Sequence, residues 1–242
     1  VGQNIGAGPS RPQTPASPRP EAYELGEWDF YNITLNITPD VLIPRPDSEH
    51  LVDVALEFLR DRAESPDGRR PARLLDLCCG SGCIGLAVEA NAPGVSVVWG
   101  DISDAALAVA RSNGCGDARV LDALSPPPPD LGVFDAVVCN PPYVAPDDDA
   151  LDASVREWEP PVALFGGTDG LDFYRSLLPD WLAVLRPGGL FAVEVGYDGA
   201  ETVSRMAREA GLTGVTVRKD YAGHGRIVYG YTQPHKRGAR HG

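Results

Sequence analysis

Leu74-Leu75-Asp76-Leu77-Cys78-Cys79-Gly80-Ser81-Gly82 is the stretch on which the fold turns. A short apolar run, strand-like from Arg73 to Cys78, passes straight into glycines and then into a helical pattern over Ser81–Asn91. Glycines at a strand-to-helix junction allow a tight turn and let a ligand approach the backbone closely. Gly80, Gly82 and Gly85 also satisfy the G-x-G-x-x-G spacing of dinucleotide-binding loops, a match that carries little weight alone.

Outward from this loop the same alternation repeats. Strand patterns at Val95–Asp101, Arg119–Ala123, Ala136–Asn140 and Leu190–Val195 alternate with helical ones at Asp104–Ser112, Asp169–Leu185 and Gly199–Ala210. Alternation of this kind implies a parallel sheet covered by helices on both faces. Pro187-Gly188-Gly189 is expected to stop the long helix and turn the chain into the next strand. Val215–Lys219 and Arg226–Tyr231 are joined by Asp220–Gly225, too short for a crossover helix, so they should pair antiparallel. The expected fold is α/β: a doubly wound, Rossmann-like, mostly parallel seven-stranded sheet with a C-terminal antiparallel hairpin. Ahead of it, Trp28–Thr38 reads as a hairpin, Pro44-Arg45-Pro46 interrupts, and Asp47 caps a helix to about Arg62. The expected bounds are a disordered Pro-rich tail at 1–24, a hairpin and helix lid at 25–70, the sheet domain at 71–233 and a disordered tail at 234–242.

Charge indicates what the glycine loop holds. Asp76 is expected at the carboxyl end of the first sheet strand, facing the crevice where the strand order reverses. A carboxylate there repels the pyrophosphate of a dinucleotide and favours the ammonium and sulfonium of S-adenosylmethionine. The helix N-terminus at Ser81 then suits the methionyl carboxylate. Asp101 ends the second strand, where it can accept ribose hydroxyls, and Asp122 ends the third, in reach of an adenine amino group. Each alone is an ordinary turn residue. Together, at successive strand ends beside one glycine loop, they point to a nucleoside cofactor, S-adenosylmethionine foremost.

The fourth strand ends in Asn140-Pro141-Pro142-Tyr143. Two prolines fix their φ angles and lack amide hydrogens, which holds the Pro141 carbonyl in a rigid segment. Asn140 adds a side-chain acceptor, and Tyr143 an aromatic face. A planar NH2 attached to a carbonyl or ring is a poor nucleophile because its lone pair is delocalised. Two acceptors on its two hydrogens orient it and stabilise the positive charge that grows as it attacks a methyl group.

Composition limits the alternatives. The 242 residues are 43% hydrophobic and 23% charged, which suits a globular domain with a sizeable core. A net charge of −13 repels a phosphate backbone and argues against a general nucleic-acid binder. Five cysteines, three of them within Cys78–Cys83, do not make a disulfide framework, and no second ligand pair completes a zinc site. Buried thiols and no metal are expected. No apolar run is long enough to span a bilayer, so a cytoplasmic protein with no membrane partner is expected.

The chain resembles the HemK/PrmC family of glutamine N5-methyltransferases, which modify the Gly-Gly-Gln glutamine of peptide-chain release factors. The resemblance rests on Leu42-Ile43-Pro44-Arg45-Pro46-Asp47-Ser48-Glu49, the Asp76–Gly82 loop, Asp101-Ile102-Ser103 and Asn140–Tyr143. It continues through Glu159-Pro160, Gly166-Gly167, Asp169-Gly170-Leu171 and Lys219–Gly223 with Arg226. The resemblance implies that Asn140, Pro141 and Pro142 bind the substrate amide, with Tyr143 packed against it. It implies a cofactor held by Asp76, Cys78, Gly80, Gly82, Asp101, Ile102, Asp122 and Asn140. Arg45 and Glu49 would shape the lid over cofactor and substrate. Two departures stand out. Cys78 replaces the family's usual glycine, and the Pro-rich residues 1–24 stand where bacterial members carry a helical docking domain. That second departure keeps a small-molecule N- or O-methyltransferase as the alternative, with a nucleic-acid adenine methyltransferase behind it.

Overall fold

In a computed structural model of the chain, which describes residues 17–64 and 70–234, seven strands form the central sheet. They are β3 (Arg73–Leu77), β4 (Ser96–Asp101), β5 (Ala118–Val120), β6 (Phe134–Cys139), β7 (Leu185–Glu194), β8 (Thr213–Lys219) and β9 (Gly225–Tyr231). Their spatial order is β5-β4-β3-β6-β7-β9-β8. The first five run parallel, and β9 is antiparallel to both β7 and β8. Chain order reverses between β3 and β6, which opens a crevice beyond their carboxyl ends. The doubly wound sheet with its closing antiparallel hairpin is thus observed.

The central strands are apolar throughout because both faces are covered. On β6, Ala136 and Val138 join a core with α3 (Cys83–Asn91) and α4 (Asp104–Ser112). Val137 and Cys139 point the other way, into a core with α6 (Asp172–Asp180) and α7 (Ala200–Glu209). The hairpin β1 (Glu27–Phe30) and β2 (Ile33–Asn36) forms a separate two-stranded sheet. The helix α2 (Glu49–Glu64) follows a 3-10 turn at Pro46–Ser48 and packs against α3 and the sheet. Among the described residues of the segment expected as a lid, the stretch between Asp40 and Ser48 borders the crevice, while α2 packs into the core with α3.

Several boundaries differ from the sequence reading. Glu21–Leu25 form a helix, α1, inside the stretch expected to be disordered, because Tyr23 is buried and its hydroxyl donates to the Val41 carbonyl at 2.7 Å. The remaining tail expectations fall largely on 1–16 and 235–242, outside the described residues. The long helix expected over Asp169–Leu185 is shorter. Pro179 lies in the last turn of α6, and the chain tightens into a 3-10 turn over Trp181–Val184. Pro187-Gly188-Gly189 does not end a helix but bulges within β7, whose register with β6 jumps from Phe134↔Leu185 to Ala136↔Leu190. An unexpected helix, α5 (Ala153–Trp158), is capped by Asp152, whose Oδ1 accepts the Ser154 N–H at 2.7 Å.

Candidate active site

A cavity of about 360 Å³ opens at the carboxyl ends of β3, β4 and β6. The glycine loop forms one wall. Gly82 has φ +82°, and a Cβ there would lie 2.2 Å from Cys115 Sγ, so only glycine fits. Cys78 also sits in the left-handed region, at φ 59°, which accounts for the glycine that the resemblance places there. Gly80 N–H donates to Asp101 Oδ2 at 2.9 Å, and Ser103 N–H donates to Oδ1 at 2.9 Å. Asp101 thus ties the loop to the end of β4 while bordering the cavity. Burial pushes its carboxyl up from the ordinary value against the pull of these backbone donors.

Asp76 lies one layer deeper than expected. It is fully buried and absent from the cavity wall, with Oδ2 accepting the Gly85 N–H at 2.8 Å. Its Oδ1 has no hydrogen-bond partner among the described residues. Burial raises its carboxyl to about 8, against the pull of Gly85 N–H and with a further push from Asp101. Asp122 borders the cavity but lies beyond the end of β5, and it also closes a local turn. Its Oδ1 accepts the Leu124 N–H at 2.9 Å, and its Oδ2 accepts the Ser125 hydroxyl at 2.7 Å. The wall between the carboxylates is apolar, with Ile84, Ile102, Leu121 and Leu124 on it.

The tetrapeptide closes the far side. Asn140 and Pro142 line the cavity, whereas Pro141 and Tyr143 do not. Asn140 Nδ2 donates to Ser48 Oγ at 3.2 Å, which leaves Oδ1 for the cavity. The Ser48 hydroxyl donates to Glu194 Oε2 at 2.5 Å, and the Tyr143 hydroxyl to Glu194 Oε1 at 3.1 Å. Burial and the Glu194 charge hold the Tyr143 phenol well above its ordinary value, so it remains a donor. Behind the tetrapeptide, Gly166 and Gly170 allow a close approach. Cβ atoms there would lie 2.4 Å from the Pro142 carbonyl and 2.3 Å from that of Tyr143. Arg45 borders the cavity and pairs with buried Glu159, whose other oxygen accepts the Ile43 N–H at 3.1 Å. Glu49 does not reach the cavity; it accepts the Tyr31 N–H at 2.9 Å in the turn of the β1–β2 hairpin.

Residues 48–156 match the family model described as Methyltransferase small domain. The chain is 41% identical over 221 residues to the release factor glutamine methyltransferase of Caulobacter vibrioides, covering 89% of this chain and 74% of that one. The enzyme of the same name from Gloeobacter violaceus is 41% identical over 219 residues, with 88% and 74% covered. The chain belongs to the release factor glutamine methyltransferase family. A solved structure titled protein-(glutamine-N5) methyltransferase (release factor-specific), from Alicyclobacillus acidocaldarius, matches with TM-score 0.50 and 29% identity, covering 82% of this chain and 99% of that one. A methyltransferase from Pyrococcus furiosus, at 18% identity and TM-score 0.57, shares the fold.

Within this methyltransferase, the sequence reading gave no role to Ser48 or Glu194. The available signal for Glu194 was a single carboxylate at the end of the otherwise apolar Leu190–Val195 run. Arg226, noted only as part of a closing motif, pairs with Asp47 at 3.2 Å and Asp220 at 2.9 Å, which fastens the β8–β9 hairpin beside Ser48.

Proposed function

We propose that this chain transfers a methyl group from S-adenosylmethionine to the side-chain amide nitrogen of a glutamine, the one in the Gly-Gly-Gln loop of a peptide-chain release factor. The observation that carries this reading is Asn140: its Nδ2 is committed to Ser48, so its oxygen faces a cavity beside the glycine loop. The names of the relatives point to the same substrate class.

The residues present fit the cofactor. A volume of about 360 Å³ with apolar walls suits a nucleoside, and the Asp101 and Asp122 carboxylates on that wall suit its hydroxyl and amino donors. Cys78 and Gly80 would border the amino-acid portion, with Gly82 turning the loop behind them. Asp101 and Ile102 would meet the ribose, and Asp122 the adenine. Bound there, the cofactor supplies a sulfonium-activated methyl group.

Asn140 Oδ1, on the cavity wall, accepts one N–H bond of the amide and aims its nitrogen. The adjoining Pro141 carbonyl, which does not line the cavity in this structure, would accept the other as the substrate docks. The same two acceptors stabilise the positive charge that develops on nitrogen, which then loses a proton to water. Pro142 and Tyr143 keep the segment rigid, braced by Gly166 and Gly170. Arg45, fixed by Glu159, stands at the rim where it can meet the rest of the side chain. A release-factor substrate would place the reaction in the cytoplasm.

The test uses the full chain, methyl-labelled S-adenosylmethionine and an intact release factor, with the labelled peptide mapped. Label on the Gly-Gly-Gln glutamine is expected. Turnover on a small-molecule amine or on nucleic acid, with the release factor left unlabelled, would overturn the substrate assignment.

A further inference from the structure

An amide side chain has two ends of almost the same shape, one that accepts and one that donates. If Asn140 serves as an acceptor for the substrate amide, as proposed above, only one of its two orientations works. We propose that Glu194 is a positioning residue which, through the Ser48 hydroxyl, locks the Asn140 amide with its oxygen toward the substrate.

With Glu194 ionised, the proton count along the chain of contacts fixes this orientation. An ionised carboxylate has no proton to donate. Glu194 Oε2 therefore takes the Ser48 hydroxyl proton at 2.5 Å, and Oε1 takes the Tyr143 hydroxyl proton at 3.1 Å. With its single proton committed, Ser48 Oγ can only accept. The Asn140 atom facing it at 3.2 Å must then be Nδ2, which turns Oδ1 toward the cavity. The same carboxylate fixes the Tyr143 phenol, so both ends of the tetrapeptide are registered on one buried group.

Glu194 is 1% exposed and does not border the cavity, which excludes it as the base that removes the substrate proton. Its surroundings hold it in place. The Tyr174 hydroxyl of α6 donates to its backbone carbonyl at 2.8 Å. Asp47 from the 3-10 turn, Arg226 from β9, Tyr143 and the Cys83 thiol of α3 are the other titratable groups that interact with it. Burial raises its carboxyl, Ser48 and Tyr143 lower it, Asp47 raises it and Arg226 lowers it, for a net upward direction. Once protonated at low pH, Glu194 could donate to Ser48, Ser48 could donate to Asn140, and the amide could turn its NH2 to the substrate.

The experiment measures kcat and KM with S-adenosylmethionine and the release factor, together with S-adenosylhomocysteine affinity, for Glu194→Gln, Ser48→Ala, Ser48→Thr and Asn140→Ala. Both Glu194→Gln and Ser48→Ala should lose about fivefold or more in kcat, the equivalent of one hydrogen bond, with S-adenosylhomocysteine affinity unchanged. Ser48→Thr, which returns the hydroxyl, should recover most of the loss seen in Ser48→Ala. The acid limb of the wild-type kcat profile should be missing in Ser48→Ala, where the relay is cut. Unchanged kcat in Glu194→Gln and Ser48→Ala, with Asn140→Ala inactive, would overturn the relay and leave the role of Asn140 intact. Parallel loss of kcat and S-adenosylhomocysteine affinity without rescue by threonine would also overturn it. Full activity in Asn140→Ala would instead refute the underlying reading of the site.

Discussion

Asp76→Asn exchanges one oxygen of a fully buried side chain for NH2 and removes its ability to ionise. In the folded chain burial pushes the Asp76 carboxyl up to about 8 from an ordinary value of 3.8, because it disfavours the charge. At pH 7 the unfolded chain carries the ionised form while the folded chain must keep the proton. That difference costs the folded state about 4 kcal/mol by proton linkage. Asparagine avoids this cost and can still accept the Gly85 N–H. Its buried NH2 needs a partner of its own, which takes back about 1–3 kcal/mol. The net gain of roughly 1–3 kcal/mol corresponds to a rise in Tm of about 2–12 °C for a domain of this size. The sign with pH follows. Because the folded value is raised, wild-type stability falls as pH rises from about 4 to about 8, so the advantage of Asp76→Asn should widen across that window. Thermal unfolding of both proteins at pH 5, 6, 7 and 8 measures it. Titration with S-adenosylhomocysteine should show the variant binding as tightly as wild type, since Asp76 lies beneath the cavity wall and not on it. A variant less stable than wild type at pH 8, or a stability difference that does not widen as pH rises, would refute the assignment of Asp76 as a strained buried carboxyl.

Gly166→Ala places a methyl group 2.4 Å from the Pro142 carbonyl. It should cost about 1–3 kcal/mol in urea unfolding and depress kcat more than S-adenosylhomocysteine binding. Cys78→Gly relieves a left-handed backbone at φ 59° and opens the cavity wall, so a gain of about 1 kcal/mol and tighter binding by calorimetry are expected. Asp135→Asn removes the carboxylate that Arg62 and Arg70 share at 3.0 Å and 2.5 Å. A loss of about 1.5–3 kcal/mol in denaturant titration is expected from the weakened charge-assisted hydrogen bonds to this buried side chain.

The fold was largely legible because its period was. Apolar strands alternating with amphipathic helices admit few arrangements, and the six-residue link Asp220–Gly225 left the last pair only an antiparallel one. The boundaries that moved did so for local reasons: Pro179 tightened the end of α6, and Pro187–Gly189 was absorbed as a bulge because β6 pairs on both sides of it. Asn140, Cys78, Gly80, Asp101 and Ile102 were found at the cavity because glycine loops and strand ends reveal position along the chain. Depth was not legible. Asp76 and Glu49 carry the same charge as true wall residues, yet one sits beneath the loop and the other in a hairpin turn. The Ser48–Glu194 contact joins residues 146 apart, and no local pattern encodes such a meeting.

The most direct measurement is a structure of the full chain with S-adenosylhomocysteine and a Gly-Gly-Gln peptide. The expected result is a glutamine amide nitrogen about 3 Å from both Asn140 Oδ1 and the Pro141 carbonyl, with the nucleoside between Asp101 and Asp122. A glutamine bound elsewhere, or facing Asn140 Nδ2, would contradict the assignment of this tetrapeptide as the amide-binding centre.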